Sequence, residues 1–148
     1  MENEVRSFRC GFVGVLGQTN VGKSTFLNAV MGEKLLITSA RPQSTRNSIR
    51  CVRTTDASQI VFVDTPGLHR PRNRLGRHLM REASRSMRDV DVVVYMVEPW
   101  RTVHEVDRAA LARLAKDERP VLVLVNKIDR ARGGDLEETL LAYAELDV

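Results

Sequence analysis

The chain has 148 residues, 43% of them hydrophobic and 28% charged, with a formal net charge of +4. Those figures describe one ordinary globular domain with enough apolar side chains to bury a core, and they exclude a disordered or low-complexity chain. The positive surplus favours an anionic partner without identifying one.

The opening MENEVRSFRC lacks the apolar centre of a secretory signal. The longest apolar run, Val92 to Val97, is too short to cross a bilayer. A soluble, cytoplasmic protein is expected, with any contact to the cytoplasmic membrane peripheral. Gly11 to Leu16 (GFVGVL) is nearly all apolar and predicts a parallel strand covered on both faces. It runs into GQTNVGKSTFLN, Gly17 to Asn28, and the spacing of apolar residues over Ser24 to Met31 predicts a helix. Gly17, four residues, then Gly22, Lys23 and Ser24 spell GxxxxGKS between that strand and that helix, the context a phosphate-binding loop requires. Its glycines let the backbone curl, so that N–H groups from Gly17 through Asn20, Val21, Gly22 and Lys23 to Ser24 and Thr25 can point at one anion. Lys23 would reach the β- and γ-phosphates of a nucleotide, and the Ser24 hydroxyl would complete a Mg²⁺ shell. The plainer alternative is a glycine turn capped by Ser24 or Thr25.

Ile49 to Arg53 and Gln59 to Val63, separated by TTDAS, predict an antiparallel hairpin at the edge of a sheet. Leu75 to Met87 has helical period: Arg74, Arg77, Arg81, Arg85 and Arg88 form one stripe, with Leu75, Leu79, Ala83 and Met87 opposite. A solvated basic face is the ordinary meaning of such a stripe. Val90 to Val97 and Val121 to Val125 predict two more parallel strands. Helices are predicted over Glu105 to Leu114 and Leu136 to Leu146, with Gly133 and Gly134 in a local loop. The sum is an α/β P-loop NTPase fold: a doubly wound, mostly parallel sheet with an antiparallel edge hairpin. Ligands of such sheets collect at the carboxyl edge of the strands. Cys10 and Cys51 fall inside predicted strands and are expected as small buried thiols rather than a disulfide. His69, His78 and His104 show no metal-ligand spacing. Trp100 is expected as an exposed loop aromatic.

Asn126, Lys127 and Asp129 follow the last predicted strand directly. A carboxylate there can accept from both the ring N–H and the amino group of guanine; adenine offers it a ring acceptor and no amino group, a mismatch that is heavily penalised. Asn126 would tie this loop to the phosphate loop, and the Lys127 stem would lie along the base.

With GxxxxGKS, VDTPG (Val63 to Gly67) and NKID in this order, the chain resembles the translation-factor-like GTPases and, within them, the Era family of bacterial ribosome-assembly GTPases. The likeness rests on GQTNVGKSTFLN, ITSARPQSTRN (Ile37 to Asn47), VDTPGLHRP (Val63 to Pro71) and NKID, and covers nearly the whole chain. The second stretch discriminates best. The double-domain ribosome GTPases and the tRNA-modifying relatives usually carry Gly-Thr-Thr-Arg-Asp there, whereas PQSTR is similar to the family's Gln-Thr-Thr-Arg. The resemblance implies a GTP-hydrolysing switch in small-subunit assembly that binds GTP or GDP with Mg²⁺. In it Asp64 would hold Mg²⁺ through water, the Gly67 N–H would sense the γ-phosphate, and Thr45, rather than its neighbour Ser44, would give Mg²⁺ a hydroxyl. Lys23, Thr45 and Gly67 would carry catalysis. Two loops, Leu36 to Asn47 and Gly67 to Arg74, would be held only while the γ-phosphate remains.

Many GTPases place a water-orienting glutamine where this chain has Leu68; His69 comes next and has no established role in the family. Relatives with a hydrophobic residue there and an asparagine at the Asn20 position often use a bound K⁺ beside the phosphates; an Asx turn is the alternative for Asn20. The resemblance also implies that a Ser-Ala motif, a last strand and helix, and a KH domain that binds small-subunit ribosomal RNA would follow Val148. Residues 1–148 are then a partial G domain of a protein expected to form no stable oligomer. The main RNA contact would lie outside it, and Arg77, Arg81 and Arg85 would offer a second one to a phosphate-rich partner. Two other classes stay open: a nucleotide-binding module with negligible turnover, and an ATP-using P-loop enzyme in which Asn126 and Asp129 are accidental.

Overall fold

A computed structural model of the chain describes residues 7–36, 49–68, 89–117 and 119–146. In chain order its elements are β1 (Arg9–Gly17), α1 (Lys23–Met31), β2 (Ile49–Thr54), β3 (Ser58–Asp64), β4 (Val92–Val97), α2 (Glu105–Leu114), β5 (Val121–Val125) and α3 (Asp135–Ala144). Short 3₁₀ turns follow α2 and β5, at Ala115–Asp117 and Ile128–Arg130. The five strands form one sheet in the order β2-β3-β1-β4-β5. Neighbours are parallel except β2 and β3, the antiparallel edge hairpin.

Strand periodicity explains why VVVYMV reads as uniformly apolar. Alternate side chains go to opposite faces, and here both faces are covered. Val93, Tyr95 and Val97 enter one core with Leu16, Leu111, Leu114 and Tyr143, beneath α2 and α3. Val94 and Met96 enter the other with Val15, Leu27, Leu36, Cys51 and Phe62, beneath α1. Each such buried side chain contributes roughly 1.5–3 kcal/mol, so on either face of β4 a polar group is costly unless it finds a partner.

The register sets the site. Val15 lies opposite Asp64, Gly17 opposite Met96, and Val97 opposite Val125. Four parallel strands therefore end together, and the loops after β1, β3, β4 and β5 leave from one edge.

The structure corrects the sequence reading in three places. β1 runs longer than Gly11 to Leu16, and β4 begins at Val92 instead of Val90. Cys10 is exposed, because it lies near the open start of β1, while Cys51 is buried as expected; both thiols are free. β5 is only partly covered on its second face: Val121, Val123 and Val125 pack on one core and Leu124 on the other, but Leu122 is 58% exposed. The predicted helix Leu75 to Met87 with its arginines, Thr45 and Ser44, and His69 and His78 lie outside the described residues. Among the described residues no helix is long and apolar enough to cross a membrane, and no group of three or more His, Cys, Asp or Glu could hold a metal ion.

Candidate nucleotide-binding site

The turn from β1 into α1 is forced by its backbone. Asn20 (φ 64°) and Gly22 (φ 106°) both adopt the left-handed region, and a Cβ on Gly22 would sit 2.3 Å from the Asn126 amide nitrogen. Only glycine satisfies both demands. The turn delivers Lys23, Ser24 and Thr25 to the first turn of α1, which has no acidic residue, so the helix dipole favours an anion there. Val21 is buried and anchors the loop; Asn20 and Thr25 are exposed.

Lys23 is the buried cation of this loop. Its Nζ donates to the carbonyls of Gly17 (3.1 Å) and Gln18 (2.9 Å). Burial lowers its pKa to about 8, and the Asp64 carboxylate offsets part of that drop. In the free protein the unfolded chain therefore binds more protons between about pH 8 and the ordinary lysine value of 10.5, and stability rises with pH across that window. A bound phosphate favours the ammonium and reverses the drop. Nucleotide titrations at about pH 8.5 in buffers of different ionisation enthalpy are expected to show uptake of roughly three-quarters of a proton per nucleotide. Affinity is expected to fall as the pH rises further. Proton-silent binding would contradict the assignment of Lys23 as the phosphate ligand.

Asp64, fully buried at the end of β3, accepts a hydrogen bond from the Ser24 hydroxyl at 3.2 Å. A carboxylate and a hydroxyl in contact are hard oxygen donors and fit Mg²⁺; the third expected ligand, Thr45, is not among the described residues. Thr65 is fully buried beside Asp64 and donates to the Val15 carbonyl at 2.8 Å, which pins the start of the DTPG loop to β1. A Cβ on Gly67 would lie 2.7 Å from the Thr19 Cα, so the DTPG loop rests directly on the phosphate loop. Leu68 closes the contact: its N–H donates to the Gly17 carbonyl at 2.9 Å, and it pairs with Gln18 in a parallel bridge. The Leu68 side chain is buried in the core with Leu16.

The loop after β5 grips the phosphate loop at two points. The Asn126 amide donates to the Val21 carbonyl at 2.8 Å. Lys127, in the left-handed region at φ 57°, donates from Nζ to the Asn20 carbonyl and pairs with Glu98 at 2.6 Å. Asp129 follows in the 3₁₀ turn and is exposed. The structure thus brings Gly17, Asn20, Val21, Gly22, Lys23, Ser24, Asp64, Gly67, Asn126 and Lys127 to one sheet edge. Sequence reasoning missed Gln18 and Thr65, which stand at unspecified positions inside the GxxxxGKS and VDTPG motifs, and Glu98 and Asp107, which belong to no motif. Gln18, Glu98, Trp100, His104 and Asp107 border a cavity of about 490 Å³ between the phosphate loop and the segment joining β4 to α2. Trp100 is exposed there, edge-on to His104.

The family described as 50S ribosome-binding GTPase matches residues 12–127. The chain is 46% identical over 137 residues to GTPase Era of Caldanaerobacter subterraneus subsp. tengcongensis, covering 93% of this chain and 46% of that protein. It is 44% identical over 138 residues to GTPase Era of Clostridium kluyveri, covering 93% of this chain and 47% of that one. It thus spans about half the length of the curated relatives it matches. Among solved structures it is similar to Era in complex with MgGDPNP and nucleotides 1506–1542 of 16S ribosomal RNA, with a TM-score of 0.81, 31% identity, and coverage of 93% of this chain and 46% of that one. A variant of Aquifex aeolicus Era bound to GDP·AlF4⁻ has a TM-score of 0.81 and 30% identity, with coverage of 93% of this chain and 48% of that one.

Proposed function

The chain belongs to the family of 50S ribosome-binding GTPases, and from that premise we propose that it is the nucleotide-binding part of an Era-type switch that hydrolyses GTP to GDP and phosphate during assembly of the small ribosomal subunit. The observation that carries the guanine reading is the double grip of Asn126 on Val21 and Lys127 on Asn20, which ties the loop that carries Asp129 to the phosphate loop. The Era structure with MgGDPNP and a 16S ribosomal RNA segment supports the choice of nucleotide and partner. In the whole protein a KH domain beyond Val148 makes the main RNA contact, and Arg77, Arg81 and Arg85 add phosphate contacts.

In this mechanism the Lys23 ammonium and the N-terminus of α1 stabilise the negative charge that shifts on the phosphates. Ser24, Asp64 and Thr45 would hold Mg²⁺, which when bound neutralises charge on the phosphoryl oxygens. The Gly67 N–H would meet the γ-phosphate, and hydrolysis would release the segment that Gly67 and Leu68 anchor.

The Leu68 side chain is spent on the core and has no polar atom with which to orient water. Leu68→Ala is expected to lower the melting temperature through a cavity costing about 2–5 kcal/mol. Well below that temperature it is expected to change single-turnover hydrolysis by less than about tenfold, far less than loss of Lys23. A rate loss equal to that of Lys23→Ala would mean that the position does take part in chemistry.

We place a K⁺ ion beside Asn20, exposed at the bend of the phosphate loop, as the charge that supplements Lys23. Single-turnover hydrolysis is expected to run faster in K⁺ than in Na⁺, and Asn20→Ala is expected to remove most of the difference. An unchanged K⁺ response in the variant excludes Asn20. The buried Leu68 also favours a second reading, a module that holds nucleotide without turning it over. Absence of hydrolysis in either salt, with GTP bound, selects that reading.

A further inference from the structure

Asp107 is an acidic residue two positions inside α2, where a helix ordinarily shows its charges to water, yet it is only 2% exposed. A buried carboxylate is costly unless it is well hydrogen-bonded. Asp107 accepts from three neutral donors on three other segments: Tyr95 Oη of β4 at 2.8 Å, Tyr143 Oη of α3 at 3.0 Å and Gln18 Nε2 of the phosphate loop at 2.8 Å. Burial, and next the neighbouring carboxylate, push both phenols well above their ordinary range, so they remain donors. The third donor is the informative one. A buried carboxylate satisfied only for folding has no need of the phosphate loop, and Gln18 is the second residue of that loop. The backbone of Gln18 meets the site twice: its carbonyl accepts from Lys23 Nζ at 2.9 Å, and it bridges to Leu68, the residue after the DTPG glycine.

We propose that Asp107 is a positioning residue for the phosphate loop, acting through the Gln18 side chain to fix the backbone that holds both the Lys23 ammonium and the Leu68 anchor. This rests on the nucleotide-binding reading above and adds to it a route from the helical face of the sheet to the γ-phosphate side of the site. Neighbouring contacts make the support rigid. Arg101, between Asp107 and β4, donates from its backbone N–H to the buried Thr139 hydroxyl at 3.0 Å and from its side chain to Asp135 and the Gly133 carbonyl. The segment joining β4 to α2 is thus fastened to α3, and through Glu98 to Lys127.

The test replaces the Gln18 end of the contact, which spares the core. Gln18→Glu keeps the length but sets two carboxylates against each other; Gln18→Arg restores an N–H donor toward Asp107. GDP dissociation and single-turnover GTP hydrolysis are read alongside the melting temperature. Gln18→Glu is expected to release GDP at least about tenfold faster and to hydrolyse GTP at least about tenfold more slowly, and Gln18→Arg to return both to within about threefold of wild type. A positioning role also predicts that Asp107→Asn, combined with Gln18→Glu, loses less than the sum of the single losses. If the Gln18 variants all match wild type, or if Gln18→Arg fails as badly as Gln18→Glu, the inference is overturned while the nucleotide-binding reading stands. A wild-type protein that binds no guanine nucleotide overturns both.

Discussion

Replacing Lys23 with alanine is expected to slow single-turnover GTP hydrolysis by about 10²–10³-fold, on the scale of losing one preorganised charge from a site that stabilises a transition state. The reason lies in the ammonium's surroundings. It is buried, held by the Gly17 and Gln18 carbonyls, and next in sequence to Ser24, whose hydroxyl pairs with Asp64 in a set that fits Mg²⁺. No other cation is placed in the first turn of α1 to replace it. Lys23→Met keeps most of the stem and loses the charge, so it is expected to share the full defect. If Lys23→Met retained wild-type turnover, packing of the stem and not charge would explain the residue, and the phosphate assignment would fail.

Asp129→Asn is expected to weaken GTP by on the order of 3 kcal/mol, more than a hundredfold, and to improve the relative affinity for xanthosine triphosphate. The carboxylate is exposed on a short 3₁₀ turn whose preceding residue, Lys127, is locked to Asn20 and Glu98. The turn is therefore held while the charge it presents is free to meet a base. Guanine offers two donors to that charge; xanthine presents the opposite pattern and suits the amide. Calorimetric titration of both nucleotides against wild type and variant reads the exchange directly. Equal GTP affinity in the two proteins would remove Asp129 from base recognition.

The sheet and the phosphate loop were legible because they rest on local signals. VVVYMV is apolar throughout since both faces of β4 are buried, and GxxxxGKS needs a left-handed glycine at Gly22 before a helix start. The antiparallel hairpin followed from a five-residue break between two alternating runs. What escaped depends on residues distant in sequence. Asp107 reads as a surface acid of an amphipathic helix, and only the fold brings Gln18, Tyr95 and Tyr143 to it. Glu98 is one polar residue after a strand until Lys127 reaches it. Thr65, inside a recognised motif, was missed because its partner is a β1 carbonyl that no pattern marks. Cys10 and Leu122 show the reverse error: their strands were found, but burial also depends on what covers each position, which local sequence does not encode.

The central claim is that the loops Gly17–Ser24 and Asn126–Asp129 together form one guanine-nucleotide site. Displacement of a fluorescent GDP analogue in the presence of Mg²⁺ tests it most directly. GTP and GDP are expected to displace the probe at comparable concentrations, while ATP and ADP leave it bound even at about a hundredfold higher concentration. Displacement by ATP as readily as by GTP would contradict the account and leave an adenine-using P-loop protein in its place.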